Sequence, residues 1–503
     1  MEIKRNNNTV FIGKKVLKHS FIYFLGTTFR YGISIFMLPI YTRYLTPAEY
    51  GINELVSMTI EVISIFIGAG LLLCVARFYY DTNNQNERNE IISSLLILIL
   101  SIYGASLFIL VPFSEQLSLL IFKTEKYKSY FYLMFITLFF QSGLTIALTF
   151  IRVRQNSILY VCLNLGYFIS QVSLNIYYVA YRKLGVLGII YSTLISSLIF
   201  GIGLIIWMFK NVGFHFSFIK AKQFFRYGFP MVGTNIGAFI ITFSDHYFNN
   251  TFATLKEVGI YSLAYKFGFV LSAFVAGPFF AIWGPLRFEI ASSRNANRLY
   301  YQYFTYFCIL LITAGLFISL FAKDLLRIIC DPRYFDAYRF IPLIILAYIF
   351  QGLTYFVNLG ILLKKRTEYT TISSWIAVLV CLGLNFLLIP RFGAYGAAIA
   401  TFITFAIRLL LTWIFAERLH PIGYPWNKSL KLIAIATTIY LLSIFNNKPQ
   451  NVITSIVFHF CLFISFLLIL YLTNIFTREE KETIRQFFNN PIKMLANIVS
   501  KGY

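Results

Sequence analysis

Ten stretches of this chain run for at least 18 residues without an Asp, Glu, Lys or Arg: 91–114, 129–151, 155–181, 184–209, 227–244, 267–286, 299–322, 340–363, 369–390 and 449–477. A helix of roughly 20 apolar residues crosses the ~30 Å hydrocarbon core of a bilayer with its backbone polar groups paired internally. Four further stretches are apolar but shorter or interrupted: about 20–42 (holding Arg30), 51–76 (Glu54 and Glu61), 392–416 (Arg408) and 432–447. The pattern predicts an all-α polytopic membrane protein of about 14 transmembrane helices. Composition closes off the other classes. Of 503 residues, 58% are hydrophobic and 13% charged, too few charges to cover a soluble globule.

The net charge of +23 comes from 43 Lys and Arg against 20 Asp and Glu. These bases are spread over many short linkers and form no single patch, so nucleic acid is excluded as a partner. With the N-terminus cytoplasmic, 27 bases fall inside and 13 outside, leaving Arg30, Lys266 and Arg408 within spans. Both termini are therefore expected in the cytoplasm. The six cysteines are isolated in or beside apolar runs, without paired spacing, and read as packing residues rather than disulfides or metal ligands. The first 19 residues are polar and basic, so no signal peptide is expected and span one is its own insertion signal.

The chain repeats itself. Thr46-Pro-Ala-Glu49-Tyr-Gly51-Ile52 recurs as Thr254-Leu-Lys-Glu257-Val-Gly259-Ile260, and Gly185-x-x-Gly188-x-x-x-x-Thr193 as Gly393-x-x-Gly396-x-x-x-x-Thr401, both at an offset of 208. Weaker echoes at similar offsets are Gly26-Thr27 with Gly233-Thr234, Arg77-Phe78 with Arg287-Phe288, and Leu174-Asn175 with Leu384-Asn385. This predicts two six-helix lobes in parallel repeat plus two C-terminal helices. The lobes are residues 1–209 (spans one to six) and 227–420 (spans seven to twelve). Between them, 210–226 is an amphipathic cytoplasmic linker, expected as a surface helix on the inner leaflet. Spans thirteen and fourteen occupy 421–476, and 477–503 is a cytoplasmic tail. Thr46 and Thr254 are expected helix caps, with Glu49 and Glu257 closing capping boxes; the Gly-x-x-Gly pairs are expected at close helix contacts.

Ionisable groups at membrane depth cost roughly 2.5–3.5 kcal/mol on insertion scales, so each needs a partner or a wet cavity. Arg30, Lys266 and Arg408 are candidates for substrate binding in a cavity, and Glu61 and Asp245 for gating or ion coupling. Asp245 and Lys266 could equally pair with each other across adjacent helices, and Glu61 could be the partner of Arg30. Arg77 and Arg287 mark the inner ends of spans two and eight. There is no phosphate-binding G-x-x-x-x-G-K-[ST], no H-E-x-x-H and no G-x-S-x-G, and the longest outer linker, 323–339, is short. No catalytic residue, metal site or cofactor is expected, and the chain reads as a transporter rather than an enzyme. Coupling to a proton or sodium gradient stays open.

The segments Gly26-Thr27, Tyr41-Thr42-Arg43-Tyr44-Leu45-Thr46-Pro47-Ala48-Glu49-Tyr50-Gly51, Arg77-Phe78-Tyr79-Tyr80, Ser244-Asp245-His246-Tyr247-Phe248 and Val258-Gly259-Ile260-Tyr261 resemble the Wzx-type O-antigen and capsule flippases of the multidrug/oligosaccharidyl-lipid/polysaccharide exporter superfamily. The resemblance implies two bundles around a basic central cavity, flipping an undecaprenyl-diphosphate-linked oligosaccharide across the bacterial cytoplasmic membrane by alternating access. It implies a lipid-tail groove at spans thirteen and fourteen. It also implies as partners the lipid-linked oligosaccharide, membrane lipids and other membrane proteins of polysaccharide assembly. A peptidoglycan lipid II flippase, a multidrug exporter of the same superfamily and, from another class, a membrane polysaccharide polymerase are the alternatives.

Overall fold

The computed structural model describes residues 36–68, 70–445, 451–473, 475, 481 and 482; every regular element among them is helical. Span one lies outside the described residues except for its end, helix α1 (Leu38–Tyr44). Among the described residues, twelve helices are long and apolar enough to cross a membrane, and they coincide with predicted spans two to six and eight to fourteen. The seventh lies within α9 (Phe218–Phe252), a single 35-residue helix that holds Pro230.

The first lobe continues through α2 (Pro47–Gly68), α3 (Leu71–Tyr79), α4 (Gln85–Leu110), α5 (Ser114–Phe122), α6 (Lys128–Val153), α7 (Ser157–Asn175) and α8 (Val186–Val212). The second holds α9, α10 (Leu255–Leu271), α11 (Gly277–Ile290), α12 (Ala296–Ile329), α13 (Ile341–Val357), α14 (Leu359–Leu363), α15 (Glu368–Phe392) and α16 (Ala394–Leu419). The repeat is carried into the packing: α6 lies along α8 as α13 lies along α16, and each pair is related to the other by the sequence offset. Each lobe buries its own apolar core, one around Ile92, Phe135 and Phe150, the other around Tyr265, Phe307 and Phe356.

The capping box forms as the sequence predicts. Thr46 N–H and Oγ1 donate to Glu49 Oε2 at 2.8 and 2.9 Å, and Glu49 N–H donates back to Thr46 Oγ1. In the second lobe Glu257 N–H donates to Thr254 Oγ1 at 3.2 Å. The glycine pairs serve the same caps. Gly185 and Gly393 both have positive φ (59° and 54°), and a side chain there would press on Glu49 and Glu257 respectively. Glycine alone adopts that backbone without steric cost.

The last two helices, α17 (Trp426–Phe445) and α18 (Val452–Leu472), pack on α12. They are held by a buried polar cluster. Ser455 Oγ donates to Asp324 Oδ1 at 2.6 Å, and His459 Nδ1 lies 2.5 Å from Asp324 Oδ2.

Several boundaries differ from those expected. Span two starts four residues early at Pro47 and breaks at Gly68–Gly70, where α3 takes over and Gly70 abuts the backbone of Gly228. Span eight begins at Leu255 rather than 267 and includes a π-helical stretch, Ser272–Ala276. The surface helix expected over 210–226 is not a separate element: α8 runs to Val212, residues 213–217 are non-helical, and α9 starts at Phe218. Serines on α4 capture this linker instead. Ser93 bonds Gly213 and His215 at 2.9 Å each, Ser94 bonds His215 and Ser217, and Lys220 pairs with Glu90 at 3.0 Å. The linker 323–339 is ordered, its first part belonging to α12 and its last to a 3₁₀ segment, Pro332–Arg339. There Arg333 holds Asp331 at 2.7 Å and donates to the carbonyls of Thr42 and Arg43. The guanidinium keeps the Asp331 carboxyl below its ordinary range.

Candidate functional site

At the end where α2 and α10 begin, the lobes are in backbone contact. A methyl group on Gly51 would strike the carbonyl of Leu255, and one on Gly259 the carbonyl of Pro47. Pro47 and Leu255 are themselves repeat mates, so the contact is reciprocal about the pseudo-two-fold axis. Tyr334 Oη closes the same end by donating to the carbonyl of Leu45 at 3.1 Å.

Beyond this seal the lobes part around a cavity of about 1210 Å³. Its charged lining is Glu54, Glu61 and Arg152 from the first lobe and Lys266 from the second. Lys266 Nζ lies 3.0 Å from Glu54 Oε1 and 3.1 Å from Oε2, an ion pair joining α10 to α2 across the lobes. The expected pairing of Lys266 with Asp245 is not formed: Lys266 turns towards the first lobe, while Asp245 is buried among hydroxyl groups. Tyr261 and Tyr265, one helical turn apart on α10, donate to Asp245 Oδ2 at 2.6 and 3.0 Å, and Thr401 Oγ1 donates to the same oxygen at 2.9 Å. Asp245 Oδ1 faces the backbone N–H and ring Nδ1 of His246 at 2.9 and 2.8 Å. His246 and Tyr265 line the cavity, so this buried carboxylate sits directly behind its wall.

Of the other sequence candidates, Glu61 lies exposed to the cavity. Arg408 is not among the lining residues. It is half-buried on α16, donating to Ser374 Oγ at 3.3 Å, and its Nε has no partner among the described residues. Arg30 lies outside the described residues, and with it the question of a pair with Glu61. Arg77 pairs with Asp81, and Arg287 Nε donates to the carbonyl of Gly284 at 3.2 Å. The described lining thus carries two acids and two bases, where an excess of bases was expected. Glu54 and Arg152 were not singled out by sequence. Seven-residue spacing from Glu61 puts Glu54 on the same face of α2, a signal that was available; Arg152, at the end of span four, looked like a linker base.

A family profile described as "Polysaccharide biosynthesis protein" matches residues 16–291, more than half of the chain. The chain belongs to this family. Among solved structures it is similar to the lipid II flippase MurJ in an inward closed conformation (14% identity, TM-score 0.73, covering 90% of this chain and 99% of that one). It is also similar to a multidrug resistance MATE family transporter of the MOP superfamily, inward-facing (14%, TM-score 0.65, 79% and 95%) and outward-facing (14%, TM-score 0.57, 82% and 96%). No curated protein sequence matches closely enough to count as a relative. The fold of this polysaccharide biosynthesis protein is thus the one shared by the MurJ flippase and the MATE transporter, and its twelve long apolar helices among the described residues are those of a multi-pass membrane protein.

Proposed function

We propose that this chain flips an undecaprenyl-diphosphate-linked oligosaccharide, the repeat unit of an O-antigen, capsule or exopolysaccharide, from the inner to the outer leaflet of a bacterial cytoplasmic membrane. Both termini are cytoplasmic, which puts the Gly51–Gly259 seal on the outer side. The observation that carries the reading is a cavity between two repeat-related lobes, sealed at one end by reciprocal backbone contact, in a chain of the polysaccharide biosynthesis family.

The geometry suggests how substrate would drive the cycle. A diphosphate reaching the cavity competes with Glu54 for Lys266, with Arg30 as a further cation. Releasing Glu54 removes an inter-lobe attraction that favours the sealed state. A ligand shifts a two-state equilibrium only through its different affinity for the two states, and exchanging an internal ion pair for a substrate contact supplies such a difference. Asp245, held by three hydroxyl groups behind the wall, is the site for a coupling proton or sodium ion, with Glu61 the second candidate. Arg408, packed against Ser374, contributes to the charge of the second lobe from outside the lining.

The test is cellular. Deletion should deplete surface glycan while full-length lipid-linked units accumulate facing inward, and Lys266→Ala or Arg30→Ala at normal protein level should resemble the deletion. Intact surface glycan after deletion overturns the proposal and favours multidrug export. Units that reach the outside but stay unpolymerised favour a polymerase. The extent of the likeness to MurJ favours one close alternative, a lipid II flippase; loss of peptidoglycan rather than surface glycan would decide for it.

A further inference from the structure

The repeat lines both walls of the central cavity from the same positions. At the offset of 208, Glu54, Ser57 and Glu61 on α2 correspond to Ser262, Tyr265 and Phe269 on α10, and all six line the cavity. The positions are shared, but the chemistry has diverged: an acid in the first lobe is matched by a ring or a hydroxyl in the second. The same contrast holds for the rest of the lining. Seven Phe and Tyr side chains line the second-lobe wall, and among the described residues none lines the first. Three of the four charged lining residues belong to the first lobe.

The rings of the second wall are presented as surfaces. Phe243 on α9 and Phe269 on α10 stack with centroids 6.1 Å apart and planes 30° from parallel. Phe274 and Tyr355 are 37% and 46% exposed although both line the cavity. Phe274 belongs to the π-helical stretch Ser272–Ala276, and such turns are frequent at functional sites. Gln351 stands one helical turn before Tyr355 on α13, and Asn235 adds a second amide from α9. Val270 is the only branched aliphatic residue of this wall. The exposed face of α18, by contrast, carries Ile453, Leu468 and Leu472, the ordinary covering of a helix in hydrocarbon.

Flat rings interleaved with amides, without Leu or Ile, suit a ligand that has both an apolar face and a polar rim. A sugar ring is such a ligand. Its C–H face is attracted to the negative face of a π-system, and its hydroxyls pair with the donor and acceptor of an amide. A hydrocarbon tail laid on this wall would leave the amides without partners, at a cost.

We propose that the second-lobe wall is the glycan-binding face of the cavity: sugar rings lie on Phe274 and Tyr355, and their hydroxyls bond Gln351 and Asn235. This rests on the transport reading above and deepens it. The diphosphate stays with Lys266, whose amine already reaches across to the first lobe, so the two walls hold different parts of one substrate.

The test is saturation-transfer NMR on the full chain in lipid nanodiscs, with free glucose and N-acetylglucosamine as probes. Both sugars should receive saturation at millimolar concentration. Phe274→Leu and Tyr355→Leu keep apolar bulk but remove the flat ring, and each should weaken sugar binding roughly fivefold, the effect of one lost ring contact. Phe274→Tyr and Tyr355→Phe keep the ring and should bind within about twofold of the parent. Thermal melting checks that each variant is folded, and either position alone suffices if the other does not tolerate change. Absence of transfer to both sugars, leucine variants that bind like the parent, or ring-retaining variants that lose binding as the leucine variants do would each overturn the proposal. If the leucine variants bind like the parent while deletion still strands lipid-linked units inside, the glycan face alone falls. If binding follows the ring but deletion spares surface glycan, the transport reading falls and the glycan face stands.

Discussion

Gly51 and Gly259, 208 residues apart in sequence, meet backbone to backbone, each occupying the space that a side chain on the other's helix would need. Reciprocity of this kind follows from the parallel repeat: a residue close to the pseudo-two-fold axis faces its own repeat mate. Both helix starts are capped by the same Thr-x-x-Glu pattern, so the two surfaces that meet are rigid. The contact is one that can fully form or fully part.

Gly259→Val should prevent the seal from closing, since the obstacle is the Pro47 carbonyl and not a movable side chain. The expected outcome is a protein that inserts normally, does not transport, and has a cavity open at the outer end. A cysteine placed at Ser57 should react with a membrane-impermeant thiol reagent from outside in this variant and stay protected in the parent.

The Lys266–Glu54 pair is partly shielded, with side chains 21% and 12% exposed. Glu54→Gln and Lys266→Met should each destabilise the sealed state, and the swapped pair Glu54→Lys with Lys266→Glu should recover much of it. A double-mutant cycle on thermal stability is expected to give a coupling of about 0.5–3 kcal/mol, the range for residues in direct contact. A coupling near zero would show the pair to be incidental.

Asp245→Asn should abolish any dependence of the protein on sodium or proton concentration, read as cation-induced change in tryptophan fluorescence, while the fold is retained. Thr401→Val and Tyr261→Phe, which remove single donors to the same oxygen, should shift the cation response without eliminating it. An unaltered response in Asp245→Asn would move the coupling role to Glu61.

Asp324 holds Ser455 and His459 and so fastens the C-terminal pair of helices to the second lobe. His459→Phe leaves a buried carboxylate with one partner fewer. Leaving a buried group short of a hydrogen-bond partner costs about 1–3 kcal/mol, and a fall in melting temperature is expected. Asp324→Asn with His459→Phe should be milder than His459→Phe alone.

The Asp331–Arg333 contact sets a pH limit on the strap over α1. Because the folded carboxyl titrates below its ordinary value of 3.8, its stabilisation is present in full above that value and is lost as pH falls through the lowered one. The melting temperature of Asp331→Asn should therefore lie below that of the parent at pH 7 and converge with it in strong acid. Both side chains are substantially exposed, so the difference should be small and should shrink with salt.

Much of the architecture was legible in the sequence because hydropathy reports membrane depth directly. The twelve spans, the repeat and the Thr46 capping box follow from residues that are adjacent or periodic. Azimuth is what hydropathy leaves open. Lys266 and Asp245 were placed at similar depth, and nothing in their own helices said that one faces across the lobes to Glu54 while the other faces inward to Tyr261, Tyr265 and Thr401. Arg408 illustrates the same gap, its charge inside a span directed to Ser374 and away from the lining. The linker was misread for a different reason. Its alternating Phe and Lys suggested one amphipathic surface helix, but the hydroxyls of Ser93 and Ser94 capture the backbone of residues 213–217 in a non-helical form, and the rest is shared between the ends of α8 and α9.

Helix α9 runs unbroken from that captured linker to Asp245. Pro230 lacks the N–H that would bond the Arg226 carbonyl, so this is where the rod bends most easily. From Pro230 to Asp245 is about 22 Å at 1.5 Å per residue, and a bend of about 20° would swing the carboxylate by roughly 8 Å. That stroke is more than twice the length of the hydroxyl contacts on Asp245. On the proposed transport reading, occupancy of the carboxylate and the angle of the rod would be the two ends of one lever: neutralising Asp245 would free the far arm, with a single proline as the fulcrum.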